Sequence, residues 1–194
     1  MNYDFRGMRI GYVLTGSFCT LKKSLEQIKR LKEMNAEIIP VLSENTASFD
    51  TRFYKASQLA EDVTSICGRK PFTTIVETEP FGPKDYADIL VVAPCTSNTL
   101  GKIVHGINDT SATMAVKSHL RKNKPVVLAV ATNDALSQSA ENIGAALKMK
   151  KIFLVPMTED DPLNKPNSMV ANFEKIPDTI ALAAAGIDMR PLII

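Results

Sequence analysis

The sequence predicts an α/β protein: a single-domain, doubly wound, Rossmann-like parallel sheet flanked by helices. Short apolar runs of strand length alternate along the chain with segments whose apolar residues recur at helical spacing. Strands and helices in this order form parallel sheets with right-handed crossovers. The runs are apolar almost throughout, as expected of strands that helices cover on both faces. They are residues 8–14, 36–42, 89–93, 126–131 and 152–156.

Length and composition exclude several classes of protein. The chain has 194 residues and no long linker, so residues 1–194 are expected to form one domain, with 157–194 as a C-terminal loop and helix packing on it. A net charge of +2 predicts no binding to nucleic acid, and no apolar run is long enough to predict a membrane span. Three cysteines without metal-site spacing indicate free thiols in the cytoplasm and no metal.

The first strand leads into a turn that could bind an anion. Thr15, Gly16 and Ser17 follow this strand, and a helical pattern begins just after them. The N–H groups and the dipole at such a helix start favour a phosphate group. The turn has neither the glycine pattern of dinucleotide-binding loops nor a Walker lysine. An ordinary helix N-cap is the alternative explanation for these residues.

The second strand ends at Ser43, whose hydroxyl is expected to face the same crevice as Ser17 if the first two strands are neighbours. A helix is expected over residues 51–67, with Phe53 on its buried face.

The segment between that helix and the third strand is less regular. Residues 74–76 are predicted to form a short strand, and residues 80–83, which include two prolines and a glycine, are predicted to form a turn. We expect this turn to lie near the crevice.

The third strand is expected to be fully buried and to end at Pro94, which has no N–H to continue the ladder. Cys95 is interpreted as a small buried residue rather than a reactive thiol. A helix is expected to follow at once and to reach Ile107. The short polar side chains between strand and helix lie where open α/β sheets hold their ligands. These candidates for ligand binding are Thr96, Ser97, Asn98 and Thr99.

The fourth strand ends in another polar cluster, in which Asn133 and Asp134 are candidates for substrate binding. A loop is expected over 158–168 and a final helix over 176–186. Four strand ends thus carry hydroxyl and amide groups along one edge of the sheet, with no Lys or Arg expected there. This chemistry favours a mononucleotide, which combines one phosphate with a polyol and a heterocycle.

The two histidines do not indicate a catalytic centre. His105 and His119 lie on predicted helices and are expected to be solvated surface residues. With so few histidines, no nucleophile–base arrangement is predicted, and the catalytic residues stay unknown.

Three of these segments, 15–17, 93–107 and 130–133, resemble motifs of the flavoprotein family of homo-oligomeric flavin-containing cysteine decarboxylases. That family has an early Gly-Ser turn, an Ala-Pro-Ala-x-Ala-Asn-Thr loop with the helix after it, and a later Pro-x-Met-Asn segment. The resemblance implies FMN as cofactor and a homo-oligomer built on trimers. It places Gly16 and Ser17 at the flavin phosphate with Ser43 beside them, and residues 96–99 at the ribityl chain and the ring edge.

Two departures from the family pattern argue against an independent decarboxylase. The decarboxylases have a histidine about eight residues before the strand that leads to the Asn-Thr loop, whereas this chain has Pro-Phe-Gly-Pro at 80–83. The later motif keeps only Asn133.

Residues 93–99, 108–121 and 160–168 are most similar to a branch of this family that acts within a two-subunit oxidoreductase. That resemblance implies oxidation of dihydrodipicolinate to dipicolinate in the cytoplasm of the mother cell during sporulation. NAD(P) is expected on the partner chain, because this chain lacks a dinucleotide fingerprint. The alternatives are a non-catalytic scaffold or binding subunit with a vestigial flavin pocket, and an independent flavin-dependent decarboxylase.

Overall fold

A seven-stranded, mostly parallel sheet forms the centre of the computed structural model, which describes residues 3–194. Its strands, in chain order, are β1 (Arg9–Leu14), β2 (Glu37–Leu42), β3 (Ile89–Cys95), β4 (Val126–Thr132), β5 (Ile152–Leu154), β6 (Met157–Asp161) and β7 (Lys165–Ala171). The order across the sheet is β2-β1-β3-β4-β7-β6, and β5 also pairs with β4. Strands β1 to β5 pair in parallel, while β7 runs antiparallel to β4 and β6. The predicted fold class is therefore confirmed.

Helices cover both faces of the sheet. They are α1 (Leu21–Glu33), α2 (Glu44–Ser48), α3 (Ala56–Cys67), α4 (Ile75–Thr78), α5 (Ser97–Val104), α6 (Ser111–Leu120), α7 (Ala140–Lys148) and α8 (Ile176–Ala184). Helix α1 contacts α3 and the turn before α8, whereas α4, α5, α6 and α7 form a chain of contacts on the other side. Central strands β3 and β4 are buried at every position, which explains their unbroken apolar runs. In the described part of the chain, no helix has the length and apolar character needed to cross a membrane.

The expectation of a loop over 158–168 is wrong, because β6 and β7 form an antiparallel hairpin there. The middle of β6 is exposed and polar, so its sequence lacks the apolar pattern of a strand. The turn is closed by Asn164, whose backbone N–H donates to the Asp161 carboxylate over 3.2 Å. The hairpin joins the sheet through Thr132, which pairs with Met169.

Residues 74–76 do not form the predicted strand. Thr74 caps α4 in a reciprocal arrangement with Glu77, and this capping box overrides the β-branched residues that favoured a strand. The turn 80–83 lies away from the crevice, since the Gly82 N–H donates to the Ser118 hydroxyl over 2.8 Å near the C-terminal end of α6.

Two predicted helices are shorter than expected. The helix expected over 51–67 begins only at Ala56, and Phe53, expected in the core, has 48% of its surface exposed. Helix α5 ends at Val104, which leaves Ile107 exposed beyond it. Strand β3, by contrast, continues through Pro94 to Cys95, although its register with β4 shifts between Val92 and Cys95.

The prediction that both histidines are solvated is wrong for His119. His105 is exposed, but His119 is fully buried on α6, and neither of its ring nitrogens has a hydrogen-bond partner. Burial, assisted by the nearby Lys124 charge, lowers the pKa of His119 to about 4. The folded protein therefore holds this imidazole neutral.

This buried imidazole predicts a specific acid sensitivity. Below its ordinary pKa of 6.5, the unfolded chain binds a proton at His119 before the folded chain does, so the free energy of unfolding falls as the pH drops from 6.5 towards about 4. In His119→Leu, the fall in the free energy of unfolding over this pH range is expected to be smaller by on the order of 3 kcal/mol. Urea unfolding at pH 7 and pH 4 measures it, with His105→Leu as the control for loss of an exposed imidazole. Equal pH dependence in wild type and His119→Leu would contradict the prediction.

Candidate functional site

A cavity of about 520 Å³ lies at the carboxyl ends of β1, β3 and β4. The residues that follow these strands form its floor. The start of α1 and the turn before it form one wall, and the β6–β7 hairpin forms a second wall. The lining residues are Gly16, Ser17, Cys19, Thr20, Lys23, Thr96, Ser97, Ala131, Thr132, Asn133, Asp160, Lys165, Ser168 and Val170.

The cavity lies at the topological switch point of the sheet. From β1 the chain crosses to β2 on one side and later to β3 on the other, so the ends of β1 and β3 bound a crevice. Open α/β sheets bind their ligands in such a crevice, and flavodoxin, whose strand order is 2-1-3-4-5, binds FMN at this point. The order β2-β1-β3-β4-β5 of this sheet is the same.

The turn before α1 offers donors to an anion. The backbone N–H groups of Gly16, Phe18 and Cys19 have no acceptor among the described residues. The Ser17 carbonyl accepts from the backbone N–H and the hydroxyl of Thr20, which fixes the turn. Free N–H groups at the positive end of a helix dipole are suited to a phosphate group.

The hydroxyl of Thr15 connects this turn to the end of β3. Its Oγ1 donates to the Pro94 carbonyl over 2.7 Å and accepts from the Thr96 N–H over 3.2 Å. Thr96 in turn caps α5, since its hydroxyl accepts from the Thr99 N–H over 3.2 Å and donates to the Thr99 hydroxyl over 3.1 Å. Both Thr15 and Thr99 are buried, so their hydroxyls position the loop.

The structure brings five of the predicted site residues together in the cavity wall. They are Gly16, Ser17, Thr96, Ser97 and Asn133.

The other five predicted residues do not line the cavity, and two of them are the buried Thr15 and Thr99. The Ser43 hydroxyl caps α2, where it accepts from the Thr46 N–H. Ser43 therefore does not line the crevice. Asn98 is exposed on the first turn of α5. The Asp134 carboxylate accepts from the Thr132 hydroxyl at the end of β4.

The expectation that no lysine or arginine lies at this edge is wrong. Lys23 lines the cavity from α1, one turn after the Gly-Ser turn, and Lys165 lines it from the hairpin. The Lys165 Nζ is 2.7 Å from the Asp160 Oδ2, and this hydrogen bond raises the pKa of Lys165. Lys23 lies three residues after Thr20 on a predicted helix, and this spacing could have placed it at the cavity. Lys165 could be placed there only by recognising the hairpin.

The ionisable groups of the lining are suited to binding a charged ligand. Cys95 is fully buried, as interpreted from the sequence, and desolvation raises the pKa of its thiol to about 12, so it is inert as a nucleophile. The ionisable lining residues are Cys19, Lys23, Asp160 and Lys165, with no histidine among them. Within residues 3–194, no group of three His, Cys, Asp or Glu side chains could hold a metal ion.

Fold and cavity together define an α/β protein of the Rossmann-like class that has a ligand crevice at its strand switch point. The chain belongs to the Flavoprotein family, whose model matches residues 2–185. It is 38% identical over 191 residues to the B subunit of dipicolinate synthase from Bacillus subtilis (strain 168), and the match covers 98% of this chain and 96% of that protein.

Solved structures agree with this assignment. The B subunit of dipicolinate synthase from Bacillus halodurans C superposes with a TM-score of 0.90 at 37% identity, over 98% of both chains. A dodecameric FMN-dependent Ubix-like decarboxylase from Escherichia coli O157:H7 superposes with a TM-score of 0.61 at 24% identity, over 77% of this chain and 80% of the other. The likeness to the E. coli decarboxylase shows that the two proteins share a fold.

The Thr15 bridge predicts a measurable loss of stability. Thr15→Val keeps the shape of the side chain but leaves the Pro94 carbonyl and the Thr96 N–H without their partner. We expect the free energy of unfolding to fall by about 1–3 kcal/mol, measured by urea denaturation. Thr15→Ser keeps the hydroxyl and serves as the control, with a smaller loss expected. Equal losses in the two variants would show that the hydroxyl is not what holds the strand ends.

Proposed function

We propose that this chain acts as the B subunit of a dipicolinate synthase, together with an A subunit that carries NAD(P). The pair would oxidise dihydrodipicolinate to dipicolinate in the cytoplasm of the mother cell of a spore-forming bacterium. The observation that carries the proposal is the likeness to two Bacillus B subunits along nearly the whole chain, in sequence and in fold.

The chemistry explains why a partner is needed. Aromatising the dihydropyridine ring transfers a hydride from the substrate to NAD(P)⁺ and releases a proton to water, which gives dipicolinate and NAD(P)H. This chain reads Thr-Gly-Ser-Phe-Cys-Thr after β1, where a dinucleotide-binding loop would have its glycine fingerprint. The hydride acceptor is therefore assigned to the A subunit.

The switch-point cavity is proposed as an FMN site. Its volume falls within the roughly 300–1,000 Å³ of small-molecule sites, and the free N–H groups at the start of α1 suit the phosphate. Gly16 and Ser17 would hold the phosphate, and Thr96 and Ser97 would bind the ribityl chain. Asn98, exposed beside them, is proposed at the ring edge, with Thr15, Ser43 and Thr99 in supporting positions. Bound flavin would supply a carrier able to relay the electron pair of the substrate to NAD(P)⁺.

A non-catalytic binding or scaffold role is the second candidate. It is favoured by the cavity lining, which has no histidine and no buried carboxylate to transfer a proton. In this role the chain would hold a ligand or stabilise the A subunit, and its flavin pocket would be vestigial. The missing histidine before β3 argues against a third candidate, an independent flavin-dependent decarboxylase.

The chain is also proposed to form a homo-oligomer, built on trimers as its family resemblance implies. The dodecameric assembly of the E. coli relative supports this proposal.

An assay of the reconstituted pair tests the proposed function. This chain and its partner, the A subunit, are purified separately and then combined, and dihydrodipicolinate oxidation is followed by dipicolinate absorbance and NAD(P)H formation. We expect oxidation to rise at least about tenfold when both are present, because each supplies a different part of the site. The controls replace this chain with a buffer blank or with heat-unfolded chain.

The outcomes separate the candidates. A yellow chain that raises the activity of its partner supports the flavin role, and a colourless chain that does so supports the binding role. Full activity of the A subunit in the absence of this chain would contradict the proposal.

A further inference from the structure

The hairpin wall of the cavity carries an ion pair that the fold does not need. Lys165 and Asp160 face each other across β6 and β7 at 2.7 Å, and both line the cavity. Their side chains are 52% and 37% exposed, and ion pairs this exposed contribute little to stability. The pair therefore contributes little to the stability of the fold, and both charges remain accessible to a ligand in the cavity.

A second ammonium group reaches the same space from the other wall. Lys23 lines the cavity from α1 and has no ion-pair partner in the described part of the chain. Both walls line the same cavity: Cys19 and Lys23 from the side of α1, and Asp160 and Lys165 from the hairpin. A ligand between the walls can thus be reached from both sides.

The floor between the two lysines is neutral and polar. Asn133 presents an exposed amide at the end of β4. Beside it, the Ser168 hydroxyl donates to the Thr132 carbonyl over 3.3 Å, which ties the hairpin to the floor. The cavity therefore combines the N–H donors of the turn at Gly16 and Ser17 with two ammonium groups, Lys23 on α1 and Lys165 on the hairpin.

We propose that the hairpin end of the cavity binds the pyridine dicarboxylate of the reaction, with Lys165 binding one carboxylate and Lys23 the other. Asp160 is the internal anion that Lys165 releases when the ligand carboxylate takes its place. The naming of the ligand rests on the proposed function, whereas the placing of its site on this chain and the roles of the three residues go beyond it.

Charge accounts for the specificity. Two ammonium groups on separate walls can each pair with one of two carboxylates held apart on a rigid ring, and a charge-assisted hydrogen bond to each carboxylate would fix the orientation. A ligand with one carboxylate satisfies one lysine only. Asp160 reduces the affinity, because any ligand must first compete with it for Lys165. Lys165 and Lys23 are therefore specificity-determining residues.

Titration calorimetry on the purified chain, without divalent metals and at low salt, tests the proposal with pyridine-2,6-dicarboxylate and pyridine-2-carboxylate. We expect the dicarboxylate to bind at least about tenfold more tightly than the monocarboxylate. Lys165→Gln and Lys23→Gln should each weaken dicarboxylate binding by about tenfold, whereas Asp160→Asn should strengthen it by about threefold or more. If the ion pair were only structural, Lys165→Gln and Asp160→Asn would not change the affinity for the dicarboxylate in opposite directions.

A matched control uses an ion pair away from the cavity. Lys102 on α5 pairs with Asp109 over 2.8 Å, and neither residue lines the cavity. Lys102→Gln and Asp109→Asn should leave the dissociation constant unchanged. Equal affinity for the two ligands, weaker binding in Asp160→Asn, or the same losses in the control pair would each overturn the proposal.

Calorimetry and the reconstitution assay together separate this proposal from the proposed function. Oxidation by the two subunits together, with no dicarboxylate binding to this chain, would overturn the site and leave the function standing. Dicarboxylate binding with the expected residue dependence, but no oxidation by the two subunits, would support the site and overturn the function.

Discussion

The cavity depends on one side chain that joins two strand ends where the backbone cannot. Backbone pairing between β1 and β3 ends at Val13 and Val92, and Pro94 has no N–H to extend it. Beyond this point the Thr15 hydroxyl joins the two strand ends through hydrogen bonds to the Pro94 carbonyl and the Thr96 N–H, on either side of Cys95. The β1 and β3 ends therefore stay together at the switch point, and the turns that follow them open into one crevice.

Hydroxyl groups near this crevice divide into two sets by burial. Thr15 and Thr99 are buried and bonded within the chain, so they hold the turn before α5 in place. Ser17, Thr96 and Ser97 are partly exposed in the cavity wall and retain capacity for a ligand. The sequence places all five at strand ends but does not distinguish the supporting hydroxyls from those that face the cavity, because that depends on which side of each turn is packed.

Whether a segment could be predicted from the sequence depends on where that segment lies in the fold. The central strands and the switch-point crevice were predictable, since strands buried on both faces are apolar throughout and polar turns follow them. The hairpin was not, because the polar, exposed β6 lacks an apolar pattern, and Lys165 and Asp160 were missed with it. Burial of His119 was missed although the residue follows the buried Ala115 and Val116 at helical spacing, because the polarity of histidine favoured a surface position.

The central proposal is that this crevice binds a singly phosphorylated mononucleotide through the free N–H groups of the turn before α1. Calorimetric titration of the purified chain with FMN and with riboflavin tests it most directly, because the two ligands differ only in the phosphate. The account predicts that FMN binds at least about tenfold more tightly than riboflavin. Equal affinity for the two, or binding of neither, would contradict it.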